Sequence, residues 1–181
     1  MRIRTLAALG VMFVGMSAAR SEAQSTVLLP DTSQTTLLTA NVSEQATVTV
    51  PAGVSFNVTN ITNPTAASGA SVTVSSIVLG TATKQLKVSV QGNAASFTPP
   101  VAGATTWVAG DVTWNAATWT NATGASGTLS SSSYNTVADC TADASTCNTT
   151  GLVFTLAAKP TIKRAGNHTL TVTWKFESIG S

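Results

Sequence analysis

Two cysteines, one histidine, four tryptophans and seven acidic residues are most of what this sequence offers to chemistry. Cys140 and Cys147 are separated by six residues. A zinc site built on paired cysteines usually has closer spacing and a second pair of ligands, and there is no third cysteine. A redox pair would need C-x-x-C spacing and a basic neighbour to stabilise the thiolate. In an oxidising compartment the expectation is a disulfide that pins the loop over residues 139–148. His168 could serve as a general base, but a Ser-His-Asp site needs three groups converging in space. No G-x-S-x-G elbow accompanies it, and its place beside Asn167 reads as the start of a strand. Asp139 and Asp143 are close enough to suggest a carboxylate pair or a calcium loop. The D-x-[DN]-x-[DN]-G ladder is missing, so solvated loop residues are the simpler reading. No phosphate-binding glycine loop, dinucleotide fingerprint or H-E-x-x-H occurs, so no cofactor, no resident metal and no enzymatic activity are expected.

The tryptophans allow a different kind of chemistry. Trp107, Trp114 and Trp119 fall in one stretch, with Asn115 and Asn121 between and after them. Exposed indoles could stack on a glycan or anchor a partner, because they present large rigid faces. The alternative is that they fill the space between sheets. Trp174 alternates with Leu170, Val172 and Phe176 and reads as core. N-x-[ST] occurs at Asn41, Asn57, Asn60, Asn121, Asn148 and Asn167, in a chain so rich in Ser and Thr that chance matches are expected.

Positioning these residues falls to strands. Ala46, Val48 and Val50 alternate with threonines, Pro51-Ala52-Gly53 turns the chain, and Val54, Phe56 and Val58 alternate again. Two strands are predicted there. Val72 and Val74 resume the alternation, and Ile77-Val78-Leu79 continues it with a shift of phase. Leu86, Val88 and Val90 share a face. Ala95-Ser96-Phe97 is a short strand stopped by Pro99-Pro100. Asp111-Val112-Thr113-Trp114 reads as a strand, with Ala117-Thr118-Trp119 as its partner. Residues 130–133 are four serines, read as a loop or a weak edge. Leu152, Phe154 and Leu156 make another apolar face. The clearest strand is the last, with Leu170, Val172, Trp174 and Phe176 opposite Thr169, Thr171, Thr173, Lys175 and Glu177. Eight to ten short strands without a convincing helix predict an all-β fold. An immunoglobulin-like or jelly-roll-like antiparallel β-sandwich is the most economical arrangement.

The beginning of the chain reads as a secretory leader. Arg2 and Arg4 precede an apolar run over residues 6–16, and Ser21-Glu22-Ala23 fits a small-x-small cleavage pattern, with Ala18 or Ala19 as alternatives. The run is shorter than the roughly 18 apolar residues a membrane span needs. No cysteine lies near the cleavage region to carry a lipid. Removing residues 1–23 takes three of the nine basic residues and one of the seven acidic ones, so six stand against six. Only 9% of the whole chain is charged, against 43% hydrophobic. Disordered chains combine low hydrophobicity with high charge, and nucleic-acid binders need a basic footprint. Neither description fits. A neutral surface rich in Thr, Ser and Asn tolerates self-association. Residues 24–181 are read as one sandwich domain, with residues 24–45 as a possible N-terminal arm.

The C-terminal stretch Gly166-Asn-His168-Thr-Leu-Thr-Val-Thr-Trp174-Lys-Phe176 resembles the closing strand of bacterial chaperone–usher pilin subunits. The resemblance covers about a dozen residues and is one of architecture. The closely spaced late cysteines and the lack of a near-terminal Tyr depart from that family. It implies a secreted surface subunit that exchanges an N-terminal donor strand with its neighbours, here through Val27, Leu29 and Leu37. A structural or adhesive protein of the cell surface, forming a fibre, pilus or coat by β-strand addition, is the leading expectation. A carbohydrate-binding module using Trp107, Trp114 or Trp119 is the alternative, and a secreted hydrolase ranks last. No nucleic acid and no membrane span are expected.

Overall fold

Alternation of β-branched and polar residues selects an extended backbone, and a strand forms where a neighbouring edge lies alongside. The computed structural model describes residues 36–180. The leader expected over residues 1–23, and Val27 and Leu29 of the expected arm, lie outside the described residues. The chain divides into two compact units, Met1–Ala40 and Asn41–Ser181. In the first, residues 36–40 are exposed and in no regular element.

The second unit is all-β, and no α-helix occurs among the described residues. Its strands are β1 (Gln45–Thr49), β2 (Thr65–Ala66), β3 (Ala70–Val78), β4 (Gln85–Gly92), β5 (Val112–Trp114), β6 (Ala122–Gly124), β7 (Gly127–Thr128), β8 (Asn135–Cys140), β9 (Cys147–Leu152), β10 (Phe154–Leu156) and β11 (Val172–Ile179). Eleven strands replace the expected eight to ten because two of them, β2 and β7, are only two residues long. Three antiparallel ladders run in the orders β1-β3-β9, β2-β10-β5-β7 and β11-β4-β8-β6. The first two are continuous along the chain. Ala70 pairs with Leu152 in one, and Ala66 pairs with Thr155 in the next. They therefore form one layer of a β-sandwich, with the β11-β4-β8-β6 ladder as the other. Val72 and Val74 of β3, Val88 and Val90 of β4 and Val137 of β8 are fully buried in the single core between them.

The phase shift expected after Val74 is a β-bulge. Gln45 pairs with Val78 and Thr47 with Ser75, so two residues of β3, Ser76 and Ile77, stand against one of β1, Ala46. Ser76 takes a positive φ of 52° there, and Ile77 turns inward after Val72 and Val74. Two other expectations are corrected. Val54, Phe56 and Val58 alternate as a strand should, but residues 50–60 join no ladder among the described strands and instead pack their apolar side chains against the core. Ala117-Thr118-Trp119 does not pair with β5, whose neighbours are β10 and β7. Instead Trp119 bridges to Ala122 and Thr120 to Asn148.

The start of the sandwich is tied down by Glu44. Its carboxylate accepts from the Gly80 N–H at 2.6 Å and from the Lys84 ammonium at 2.7 Å. The Lys84 hydrogen bond, followed by the Gly80 one, holds this carboxyl below its ordinary range. A carboxylate lowered in the folded state stabilises above its unfolded pKa and loses that contribution as pH falls through the folded value. Wild type should therefore unfold at higher denaturant than Glu44→Gln at pH 7. The gap should narrow as pH drops below the ordinary Glu value of about 4.3. Denaturant titrations of both proteins across this range check it. Solvent screening keeps the effect small.

Candidate functional site

The last strand sits at an edge. All eight residues of β11 pair with β4, from Val172 opposite Gly92 to Ile179 opposite Gln85. On its other side β11 has no partner among the described strands. An edge strand presents a row of unpaired N–H and C=O groups. The inward-facing residues Val172, Trp174 and Phe176 are only half-buried, although the corresponding valines of β4 are fully buried. The reason is positional: β11 closes its layer, and no described strand covers it.

Beside this edge lies an open groove of about 880 Å³. One flank is the extended segment that carries Val54, Phe56 and Val58, and the other is the chain from Ile162 through Trp174. Phe154, Leu156 and Val112 lie beneath. Three aromatic rings lead from the core to the opening. Trp114 meets Phe154 at 6.2 Å between centroids, and Phe154 meets Trp174 edge-on at 6.5 Å. Edge-to-face pairs at such separations favour this geometry by about 0.5–1.5 kcal/mol each beyond burial.

The loop at the groove's rim is held by polar contacts. Trp107 Nε1 donates to the Ala157 carbonyl at 2.9 Å. The Asp111 carboxylate accepts from Lys159 Nζ at 2.7 Å and from the Val108 N–H at 2.9 Å. His168 stacks edge-on against Trp107 at 5.1 Å. Its Nε2 lies 3.2 Å from the Arg164 carbonyl and its Nδ1 2.8 Å from Thr106 Oγ1. A carbonyl can only accept, so in the neutral ring Nε2 carries the proton and the Thr106 hydroxyl donates to Nδ1. The partners are a threonine and a backbone carbonyl, and the ring braces residues 164–168 against the body of the domain. Gly166 turns this loop at φ 127°, where an added Cβ would come within 2.7 Å of Pro100. Both facts favour glycine there.

Of the three candidate tryptophans, Trp107 lines the groove and Trp114 and Trp119 do not. Trp107, Trp114 and Trp119 are 4%, 3% and 8% exposed, so none presents a face on which a sugar could stack. Inter-sheet packing claimed them because their apolar area is large. Two of them have hydrogen-bond partners, Ala157 for Trp107 and the Ala125 carbonyl for Trp114. The half-open indole of the groove is Trp174, which alternation along the last strand assigns to the core. Its position on the final strand, with no later strand to cover it, was the available signal. Cys140 and Cys147 form a disulfide between β8 of one layer and β9 of the other. Asp139 sits in β8 opposite Lys87, while Asp143 is exposed in the loop. No group of three potential metal-ligating side chains occurs among the described residues. Leu37 is 89% exposed and Leu38 88%, so these apolar residues lack cover where they stand. No described helix is long and apolar enough to cross a membrane.

Comparison with known proteins returns no matching family model, no matching curated protein and no matching solved structure.

Proposed function

We propose that this chain is an exported structural subunit that assembles by strand addition. Residues 24–40 of one copy would lie along the free edge of β11 in another and cover its groove. The observation that carries this reading is the half-buried apolar face of β11 beside an edge without a partner among the described strands. An added strand would satisfy both deficits together: backbone hydrogen bonds to the edge, and apolar side chains on Val172, Trp174 and Phe154. The segment suits the role. In an extended conformation Val27, Leu29 and Leu37 would share one alternating face, and the exposed Leu37 supplies an uncovered apolar group. A neutral mature surface puts little repulsion between copies. The leader over residues 1–23 fits export to the cell surface, where such a subunit would form a fibre or coat.

The test uses purified chain without residues 1–23, followed by size-exclusion chromatography with light scattering. Concentration-dependent oligomers are expected for wild type. The double change Val27→Asp and Leu29→Asp should leave a monomer with an unchanged unfolding midpoint, because a charge in an apolar groove is costly. A wild-type protein that stays monodisperse at high concentration would overturn the proposal.

A further inference from the structure

The charges around the groove are unevenly matched. Three ion pairs join described residues: Lys84 with Glu44 at 2.7 Å, Lys159 with Asp111 at 2.7 Å, and Lys175 with Glu177 at 2.9 Å. Lys87 stands opposite Asp139 in the β4–β8 register. Lys163 and Arg164 remain. They are adjacent, exposed, and part of the groove's rim, and neither has a carboxylate partner among the described residues. Two acids beyond the leader enter none of these pairs, and one of them, Asp31, lies outside the described residues. Asp143 lies in the disulfide loop, and Asp31 is the sole charged residue in the segment 24–40.

We infer that Asp31 of one copy docks on Lys163 and Arg164 of the next, and that this contact sets the register and direction of the added strand. The inference rests on the strand-addition reading above. In an added strand Val27, Leu29 and Asp31, two residues apart, would fall on one face. With Asp31 at the basic rim, an arm running antiparallel to β11 carries Leu29 and then Val27 toward Val172 and Trp174. A parallel arm with the same anchor would carry Ser33 and Thr35 there instead. Apolar side chains fit the apolar lining, so the antiparallel direction is selected. The residues between Asp31 and β1 of the donor then form the spacer between subunits. A pro-strand slip of two residues would keep the same face inward but move Asp31 off the basic pair, so the charge contact distinguishes registers that packing alone leaves close in energy.

An exposed ion pair adds little equilibrium stability, whereas rim charges act on encounter rate and its salt dependence. The measurement is therefore kinetic. Assembly of chain without residues 1–23 is followed by light scattering at low salt and at about 1 M salt, where the screening length is about 3 Å. Asp31→Lys alone, and Lys163→Glu with Arg164→Glu alone, should each slow assembly about tenfold at low salt. An equimolar mixture of the two variants should assemble several-fold faster than either alone, at about half the wild-type rate, because each arm is complementary to the other variant's groove and half of the encounters are of that kind. High salt should remove these differences. Charge variants that assemble at the wild-type rate, or a mixture no faster than its components, would overturn the charge contact while leaving strand addition standing. Wild type that never assembles, or assembles equally well with Val27→Asp and Leu29→Asp, would overturn both.

Discussion

Trp114→Ala is expected to lower the unfolding free energy by about 3–5 kcal/mol, the range for removing a large aromatic from a packed core. Trp114 is 3% exposed and lies at the centre of the β2-β10-β5-β7 ladder, with Phe154 directly opposite in the register. Three contacts would be lost at once. Its ring packs edge-on against Phe154, its Nε1 donates to the Ala125 carbonyl at 2.9 Å, and its face lies so close to Gly127 that an added Cβ there would overlap it. Little around it can collapse into the space, because Gly127 has no side chain to move. Trp114→Phe separates the parts. It keeps much of the packing but leaves the Ala125 carbonyl without its donor, and should cost well under half as much. Since small domains are stable by only about 5–15 kcal/mol, the alanine variant should melt about 10 °C lower. Denaturant titration and thermal melting of the three proteins check this. A loss below about 1 kcal/mol in Trp114→Ala would mean that the indole is not packed as described.

The second large effect concerns the disulfide. Replacing Cys140 and Cys147 together with Ala is expected to cost about 2–4 kcal/mol. The ring it closes is short, so the constraint on the unfolded chain supplies about 2 kcal/mol of this. Packing supplies the rest, because both residues are at most 1% exposed. The bond also spans the layers. Cys140 pairs with Ala122 in one sheet, and Cys147 pairs with Val74 in the other. Removing it frees the two layers at the turn between β8 and β9. Unfolding of the double variant beside wild type, in urea without reductant, gives the difference directly. The same wild-type protein unfolded with reductant should approach the variant.

Much of the fold was legible in the residue pattern. The alternations at Val72, Leu86, Leu152 and Val172 all became strands, because period-two patterning leaves an extended backbone as the way to bury one face. The cysteine pair was legible from its spacing and from the want of other ligands. The groove was less so. Val54, Phe56 and Val58 carry the same pattern as true strands, and pairing depends on a neighbour that sequence does not name. The three central tryptophans could have faced solvent or core by pattern alone, since glycines and short strands interrupt the periodicity around them.

By itself the sequence determined the fold class and the disulfide, since each follows from local alternation or spacing. Tertiary structure decided which strand closes a layer and which indoles are sealed. Burial depends on what lies across the sheet, often dozens of residues away along the chain. Trp114 is covered because β7 and Phe154 meet over it. Trp174 has the stronger strand pattern, yet it is left half-open because β11 is last in its ladder and no described strand lies beyond it.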